Sequence, residues 1–194
     1  RGGAILLTIR ISILFYVIIV LITSCQTPKD DLDTIKKFKP KDKYFKANLI
    51  SLHFITETSS ISRIDSVYKQ MIQTYNLPID AKNCHDGVYF GESPYDAYDY
   101  KHVVKIEIKD EKIIKIDYDE ISKYGKGKKD DEKYCNEMSQ VGTTPAIAYP
   151  QFEKQLLEEQ NIMELDVVTG ATYSLYRFKY AVMIALIKAQ IDSE

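Results

Sequence analysis

The sequence predicts an α+β fold, in which an antiparallel sheet around residues 86–119 is covered by helices. Two observations carry this prediction. Apolar and polar residues alternate along K-H-V-V-K-I-E-I-K-D-E-K-I-I-K-I-D-Y at 101–118, which is typical of an antiparallel hairpin with one face in water. Apolar residues then recur at helical spacing along 173–191, and a stripe this regular needs burial against the sheet.

The first 24 residues are expected to be a lipoprotein signal peptide. Arg1 and Arg10 precede an uncharged apolar run at 11–23, which as a helix is too short for a bilayer core of about 30 Å. The run ends in L-I-T-S-C at 21–25, which resembles a bacterial lipobox. We therefore expect Cys25 to be lipidated and to anchor the mature protein to a membrane. A buried cysteine in an uncleaved signal anchor is the alternative.

The residue after the lipobox indicates where the anchored protein resides. Gln26 stands where an aspartate would favour retention in the inner membrane, so we expect an extracytoplasmic protein of the outer membrane or cell surface. Residues 25–47 form a lysine-rich tether. Acidic residues interrupt its lysines, which favours a solvated tether over a site for nucleic acid or anionic lipid.

Residues 48–83 are predicted to be an accessory segment without visible chemistry. N-L-I-S-L-H-F-I-T at 48–56 could form a strand. Apolar residues spaced from Ile61 to Tyr75 predict a helix, with Ser59 or Ser60 available as its cap and Pro78 after its end. The remaining residues, 84–194, form the main domain.

Net charge argues against a nucleic-acid partner. The whole chain has 26 Lys and Arg against 28 Asp and Glu. Removal of Arg1 and Arg10 with the signal peptide leaves 24 basic residues against 28 acidic ones, a net charge of −4. Nucleic-acid binders normally show a basic excess, so we expect no such partner.

Cys84 and Cys135 are the remaining cysteines once Cys25 is lipidated. Outside the cytoplasm two thiols can form a disulfide, and free buried thiols are the alternative. Neither cysteine has the spacing of a metal ligand or a C-x-x-C motif. No catalytic triad, metal cluster or carboxylate pair emerges elsewhere, and His102 falls on the apolar face of the hairpin as a core histidine.

Three helices are predicted after the hairpin, at 130–139, 150–160 and 173–191. Pro150 suits the first turn of the second helix, although Thr144-Pro145 is another possible start. D-V-V-T-G-A-T-Y-S at 166–174 lies where a strand would lead into the last helix. Thr169 or Thr172 could cap that helix, and its free N–H groups suit a phosphate.

This nine-residue stretch resembles the flavinylation motif D-x-x-[ST]-G-A-[ST]-x-[ST] of the FMN-binding domain family. The family includes flavin subunits of the sodium-pumping NADH:quinone oxidoreductase and Rnf complexes, and extracytoplasmic lipoproteins. D-G-V-Y-F-G-E at 86–92, the hairpin, and G-T-T-P-A-I-A-Y-P at 142–150 extend the resemblance over roughly residues 84–190. Many members have threonine at the last position, where this chain has serine.

The resemblance implies that a flavin transferase attaches FMN to Ser174 through a phosphoester. The other cofactor-binding residues that it implies are Thr172, Ala171, Gly170, Thr169 and Asp166. The protein would then be a membrane-anchored electron carrier for quinone-linked or other redox proteins. A surface lipoprotein with unmodified Ser174 that binds other molecules, and a flavin-dependent reductase of an extracellular acceptor, are the alternatives. Four tyrosines are candidate rings for stacking on the flavin: Tyr89, Tyr95, Tyr98 and Tyr100.

Overall fold

Residues 35–39, 41–140 and 142–191 are described by a computed structural model, and they confirm the α+β fold. The described helices are α1 (Phe45–Thr58), α2 (Ile61–Tyr75), α3 (Glu132–Ser139), α4 (Pro145–Glu159) and α5 (Thr172–Ile191), and a short 3-10 helix (Lys36–Phe38) precedes α1. The strands β1 (Gly87–Glu92), β2 (Tyr100–Lys109) and β3 (Lys112–Ser122) form one antiparallel sheet in that spatial order. The predicted signal peptide and Cys25 lie outside the described residues.

The predicted hairpin is confirmed as β2 and β3. Asp110 and Glu111 form its turn, and both have positive φ angles. Strict alternation predicts Ile114 on the buried face with Ile116 and Tyr118, and this detail is wrong, because Ile114 is 48% exposed. The register shifts opposite Glu107 and Ile108, so that Ile113 turns inward and Ile114 outward.

The helix α5 lies at the centre of the described fold. Its predicted stripe is buried, but so are residues on its other sides, among them Tyr176, Tyr180, Met183 and Ile187. Strands β1 and β2 contact α5, and α1, α2 and the 3-10 helix also contact it. A helix that is apolar on all sides is a buried helix, so the single stripe described only part of its core face. Among the described residues, no helix is long and apolar enough to cross a membrane.

Residues 48–56 belong to α1, so the strand considered for them is wrong. Leu49, Leu52, His53 and Thr56 are buried at i, i+3, i+4 and i+7, which is the spacing of one helix face. This face packs on α5. The helix predicted next is confirmed as α2, which ends at Asn76 in the left-handed conformation shortly before Pro78.

A close approach between β1 and α5 sets the height of α5 on the sheet. A Cβ atom on Gly91 would lie 1.9 Å from the carbonyl oxygen of Ala181 and 2.8 Å from the backbone nitrogen of Ala185. Only a glycine lets the strand backbone come this near the helix.

Helices α3 and α4 confirm the prediction of two helices between the sheet and α5. The second begins at Pro145, the earlier of the two possible starts, with Thr144 at the N-cap. Pro150 is therefore inside α4 and not in its first turn. The spacing of Phe152, Leu156 and Leu157 predicts one buried helix face. Phe152 and Leu156 are buried, whereas Leu157 is 39% exposed.

Candidate functional site

The segment at 166–174 is an irregular stretch, a tight turn and the first turn of α5. The strand expected before the turn does not form, and side chains from two helices hydrogen-bond to the backbone there. Gln155 Oε1 accepts the N–H of Asp166 at 2.7 Å, and Lys179 Nζ lies 3.5 Å from the carbonyl oxygen of Leu165. Gly170 then closes the turn with φ 82°.

The N-cap of α5 is Ala171, not a threonine. Its carbonyl accepts the N–H of Leu175 at 3.0 Å, and its own N–H donates to the carbonyl of Val168 at 2.9 Å. Thr169 lies two residues before this position and Thr172 one residue after it, so the predicted hydroxyl cap is wrong. Alanine at an N-cap is less favourable than Ser, Thr, Asn or Asp by about 1 kcal/mol. The first N–H groups of α5 also lack intrahelical acceptors, as in any helix.

Ser174 lines a cavity at this end of the helix. The cavity has a volume of about 240 Å³ including its open mouth. Gly170 and Ala171 contribute its wall beside Ser174. The other lining residues come from α3, from the start of α4 and from the residues before it, and they are Tyr134, Met138, Thr143, Thr144, Pro145, Ala148 and Tyr149.

Three of the six predicted cofactor-binding residues therefore meet at the cavity, namely Ser174, Ala171 and Gly170. The other three lie in the same segment without lining the cavity. Asp166 and Thr169 are exposed, and Thr172 is half-buried.

A buried ion pair lies behind two of the cavity residues. Glu120 is 1% exposed; one of its carboxylate oxygens accepts from the ammonium of Lys128 and the other from the hydroxyl of Tyr149. Burial by itself would raise the pKa of the Glu120 carboxyl. The interactions with His102 and Lys128 and the two hydrogen bonds outweigh burial and lower this pKa to about 2. The carboxylate is thus ionised at neutral pH.

The ammonium group of Lys128 also lies against an aromatic ring that lines the cavity. Its Nζ atom lies 4.7 Å from the ring centroids of both Tyr100 and Tyr134, and the side chain is 11% exposed. Ammonium groups are attracted to aromatic faces at such distances. The pair of Lys128 and Glu120 therefore connects Tyr134, on one side of the cavity, with Tyr149 on another.

Asp96, His102 and Glu120 place one potential metal ligand each within 4.8 Å of one another. Contacts inside the protein account for this cluster. Lys128 supplies a positive charge to Glu120, and Asp96 Oδ1 accepts the N–H groups of Tyr98 and Tyr100 at 2.8 and 2.9 Å. The cluster is a buried polar network whose acids already have donors.

His102 lies in the core, as its place in the hairpin predicts. It is fully buried, and its Nδ1 lies 2.8 Å from the hydroxyl of Tyr118. Burial lowers the pKa of His102 to about 4, against the opposite effect of the Glu120 charge. The imidazole is therefore neutral at pH 7.

The four tyrosines predicted to stack on a flavin are not among the residues that line the cavity. Tyr89 is buried, Tyr95 and Tyr98 are exposed, and Tyr100 is half-buried beside Lys128. The aromatic residues of the cavity are Tyr134 and Tyr149 instead. The sequence offered one usable signal for the first, because Tyr134 and Met138 share a face of a predicted helix at i, i+4.

Cys84 and Cys135 are free thiols, so the disulfide considered for them does not form in this structure. The Cys84 sulfur lies 3.7 Å from the carbonyl oxygen of Leu186, near the end of α5. The Cys135 sulfur lies 3.8 and 3.7 Å from the carbonyl oxygens of Lys128 and Lys129. Burial raises the pKa of the Cys84 thiol to about 12, which makes it unreactive.

No protein-family model and no curated protein matches this chain. Among solved structures, the chain is similar to the crystal structure of the CPE2226 protein from Clostridium perfringens, with 34% sequence identity and a TM-score of 0.52. That match covers 55% of this chain and 89% of the other. A solution structure of a protein from Clostridium thermocellum matches at 23% identity over 48% of this chain and 87% of that one, with a TM-score of 0.30. Neither protein's name states a ligand or an activity.

Proposed function

This chain belongs to one family with the CPE2226 protein from Clostridium perfringens, and we propose that it is an electron carrier that holds FMN covalently on Ser174. One observation carries the proposal. The residue that matches the acceptor position of the flavinylation motif lies in the first turn of a long buried helix and lines a cavity. The family relation supports the fold and names no cofactor.

The start of α5 suits the phosphate of an attached FMN. Ser174 is the third residue of the helix, and helical side chains tilt towards the N-terminus, so its hydroxyl lies near the first free N–H groups. The helix dipole adds a favourable interaction with an anion there, typically about 0.3–1 kcal/mol. Because Ala171 has no side-chain acceptor, those N–H groups keep their capacity for a phosphate.

Attachment would follow the chemistry that the motif implies. A flavin transferase would use Mg²⁺ and FAD, break the pyrophosphate bond of FAD and release AMP. The Ser174 oxygen would form the new bond to the FMN phosphorus and lose its proton. Bound FMN would supply reversible electron transfer, which no side chain of this site offers.

The size of the cavity supports a carrier over a reductase. The volume of about 240 Å³ includes open solvent at the mouth, so the cavity is a shallow depression and does not enclose a ligand. It would cover part of an FMN and leave another part open to a redox partner. A reductase would need room for a substrate beside the flavin as well.

The cellular setting of the proposal rests on the sequence. A lipid anchor on Cys25 would keep the carrier extracytoplasmic and attached to a membrane. Its redox partners would then be quinone-linked or other electron-transfer proteins, and the flavin transferase would be its partner during maturation.

The test is to co-express the full chain with a flavin transferase and its established flavoprotein substrate. We expect an ultraviolet-fluorescent band for this protein on a denaturing gel, and an intact mass increased by one FMN minus water. Ser174→Ala should abolish both signals, and Ser174→Thr should keep them. Ser60→Ala changes a serine at the start of another helix, α2, and should leave labelling intact.

One outcome would exclude the proposal. If the established substrate becomes labelled in the same cells while this chain keeps its unmodified mass, covalent attachment is wrong. Labelling of the Ser174→Ala variant at full level would move the attachment to another residue.

A further inference from the structure

We propose that Tyr134 is the ring on which the isoalloxazine of the attached flavin lies, and that Lys128 and Glu120 are positioning residues that hold this ring at the cavity. The inference rests on the proposed function, because the attached flavin is its ligand. It adds a ligand-contacting residue and its support, which the flavinylation motif does not contain.

Tyr134 occupies the wall of the cavity that α3 provides. It lies one helical turn before Met138, and both side chains line the same cavity as Ser174. Asp131 caps α3 and accepts the N–H of Tyr134 at 3.2 Å. The backbone of Tyr134 is therefore fixed in the first turn of α3.

Tyr149, the other aromatic residue of the cavity, has less surface to offer. It is 2% exposed, its ring packs edge-on against Tyr118 at 4.7 Å, and Phe152 is stacked 6.2 Å away. Its hydroxyl is committed to Glu120. Tyr134 is half-buried, and its ring has the Lys128 ammonium for a neighbour, so ring surface remains for a flat ligand.

The ion pair explains why the Tyr134 ring stays in place. Lys128 is held by Glu120 and lies 4.7 Å from the Tyr134 centroid, between that ring and Tyr100. A cation held by a buried carboxylate cannot move away without leaving the carboxylate unpaired, which is costly. The attraction between the Lys128 ammonium and the ring therefore holds Tyr134 against Lys128, which Glu120 keeps in place.

The first experiment uses flavin fluorescence in the full chain labelled by the transferase. A phenol ring in contact with an excited flavin donates an electron to it and then recovers it, which quenches emission. We expect native emission several-fold below that of the same sample unfolded in urea. Tyr134→Leu should restore most of the native emission. Tyr124→Leu is the matched control, because Tyr124 also has a lysine over its ring, at 5.2 Å, but is 85% exposed.

The second experiment separates the effect of the Tyr134 hydroxyl from the effect of the aromatic ring. Visible circular dichroism of the flavin reports a ring held in one orientation. Tyr134→Phe should raise the emission and keep the dichroism, whereas Lys128→Met should raise the emission and weaken the dichroism. Lys123→Met removes an exposed lysine of the same loop, paired with Asp99, and should change neither.

The outcomes distinguish this inference from the proposed function. A chain that acquires no FMN overturns the proposed function and this inference with it. A chain that is fully labelled, yet shows unchanged emission in both Tyr134→Leu and Tyr134→Phe, overturns the inference alone. Unchanged emission and dichroism in Lys128→Met would remove Lys128 and Glu120 from the role of positioning residues.

Discussion

Two buried histidines should make the folded state less stable as the solution becomes acidic. His53 and His102 are fully buried, with ring centroids 6.3 Å apart. Burial, together with the nearby charge of Arg177, lowers the pKa of His53 from 6.5 to about 4. Burial also lowers the pKa of His102 from 6.5 to about 4, although the Glu120 charge acts in the other direction.

The sign of the effect follows from where protons bind. The unfolded chain takes up a proton on each histidine near pH 6.5, while the folded protein resists until about pH 4. The stability contributed by neutral, buried histidines is therefore complete above pH 6.5 and is lost as the pH falls towards 4. Each pH unit in this window costs about 1.4 kcal/mol per histidine. The pair should cost about 3 kcal/mol at pH 5.5, a large share of a typical 5–15 kcal/mol.

Urea unfolding at pH 7.5, 6.5 and 5.5 measures this loss. His53→Gln and His102→Gln should each remove about half of the pH dependence, whatever they do to stability at pH 7.5. His85→Gln is the control, because His85 is exposed. A free energy of unfolding that changes by less than about 1 kcal/mol between pH 7.5 and 5.5 would refute the reasoning.

Two further predictions concern packing and hydrogen bonding. Gly91→Ala places a Cβ atom 1.9 Å from the Ala181 carbonyl oxygen, and because backbone cannot rotate aside, we expect a loss of about 3 kcal/mol and a Tm lower by about 6–12 °C in thermal unfolding. Gly125→Ala meets no atom within 4 Å and should cost only the left-handed conformation, about 1–2 kcal/mol; equal losses would refute the clash. Tyr68→Phe removes a buried 2.6 Å hydrogen bond to the Tyr176 carbonyl, and urea unfolding should show a loss of about 1–2 kcal/mol; no loss would show that the carbonyl finds another donor.

Local patterns predict those parts of the fold that local geometry determines. The alternation along 101–118 identified β2 and β3, because side chains of a strand point to opposite faces in turn. The bulge at Ile114 escaped this reasoning, since one extra residue in a strand changes no feature of composition. The sequence allowed α4 to begin at either Pro145 or Pro150. The helix begins at Pro145 and packs on β3.

Long-range packing accounts for what the sequence did not predict. Helix α5 is buried on several sides because α1 and α2 cover the surface that the sheet leaves open. Both helices lie largely in residues 48–83, where the sequence predicts no functional site, and residues 48–56 of α1 also fit a strand pattern. A short apolar run such as 48–56 fits either element until its neighbours are known.

The candidate site also has a part that a local motif predicts and a part that depends on long-range packing. A local motif brought attention to Gly170, Ala171 and Ser174, which are consecutive or nearly so and line one cavity. Tyr134 and the Glu120–Lys128 pair come from α3, β3 and the loop between them. No spacing in the sequence links such residues, because their proximity depends on how the loop after β3 turns back along the end of that strand.

The start of α5 shows why an unfavourable local choice can serve a site. Helices α2, α3 and α4 begin after Ser60, Asp131 and Thr144, residues that favour an N-cap, whereas α1 begins after Tyr44 and α5 after Ala171. A hydroxyl or carboxylate cap would compete with a phosphate for the same free N–H groups. Alanine gives up about 1 kcal/mol of helix stability and leaves those donors to the phosphate that we propose on Ser174. Proteins violate some local preferences at functional sites, and the alanine before α5 lies within one turn of the proposed attachment.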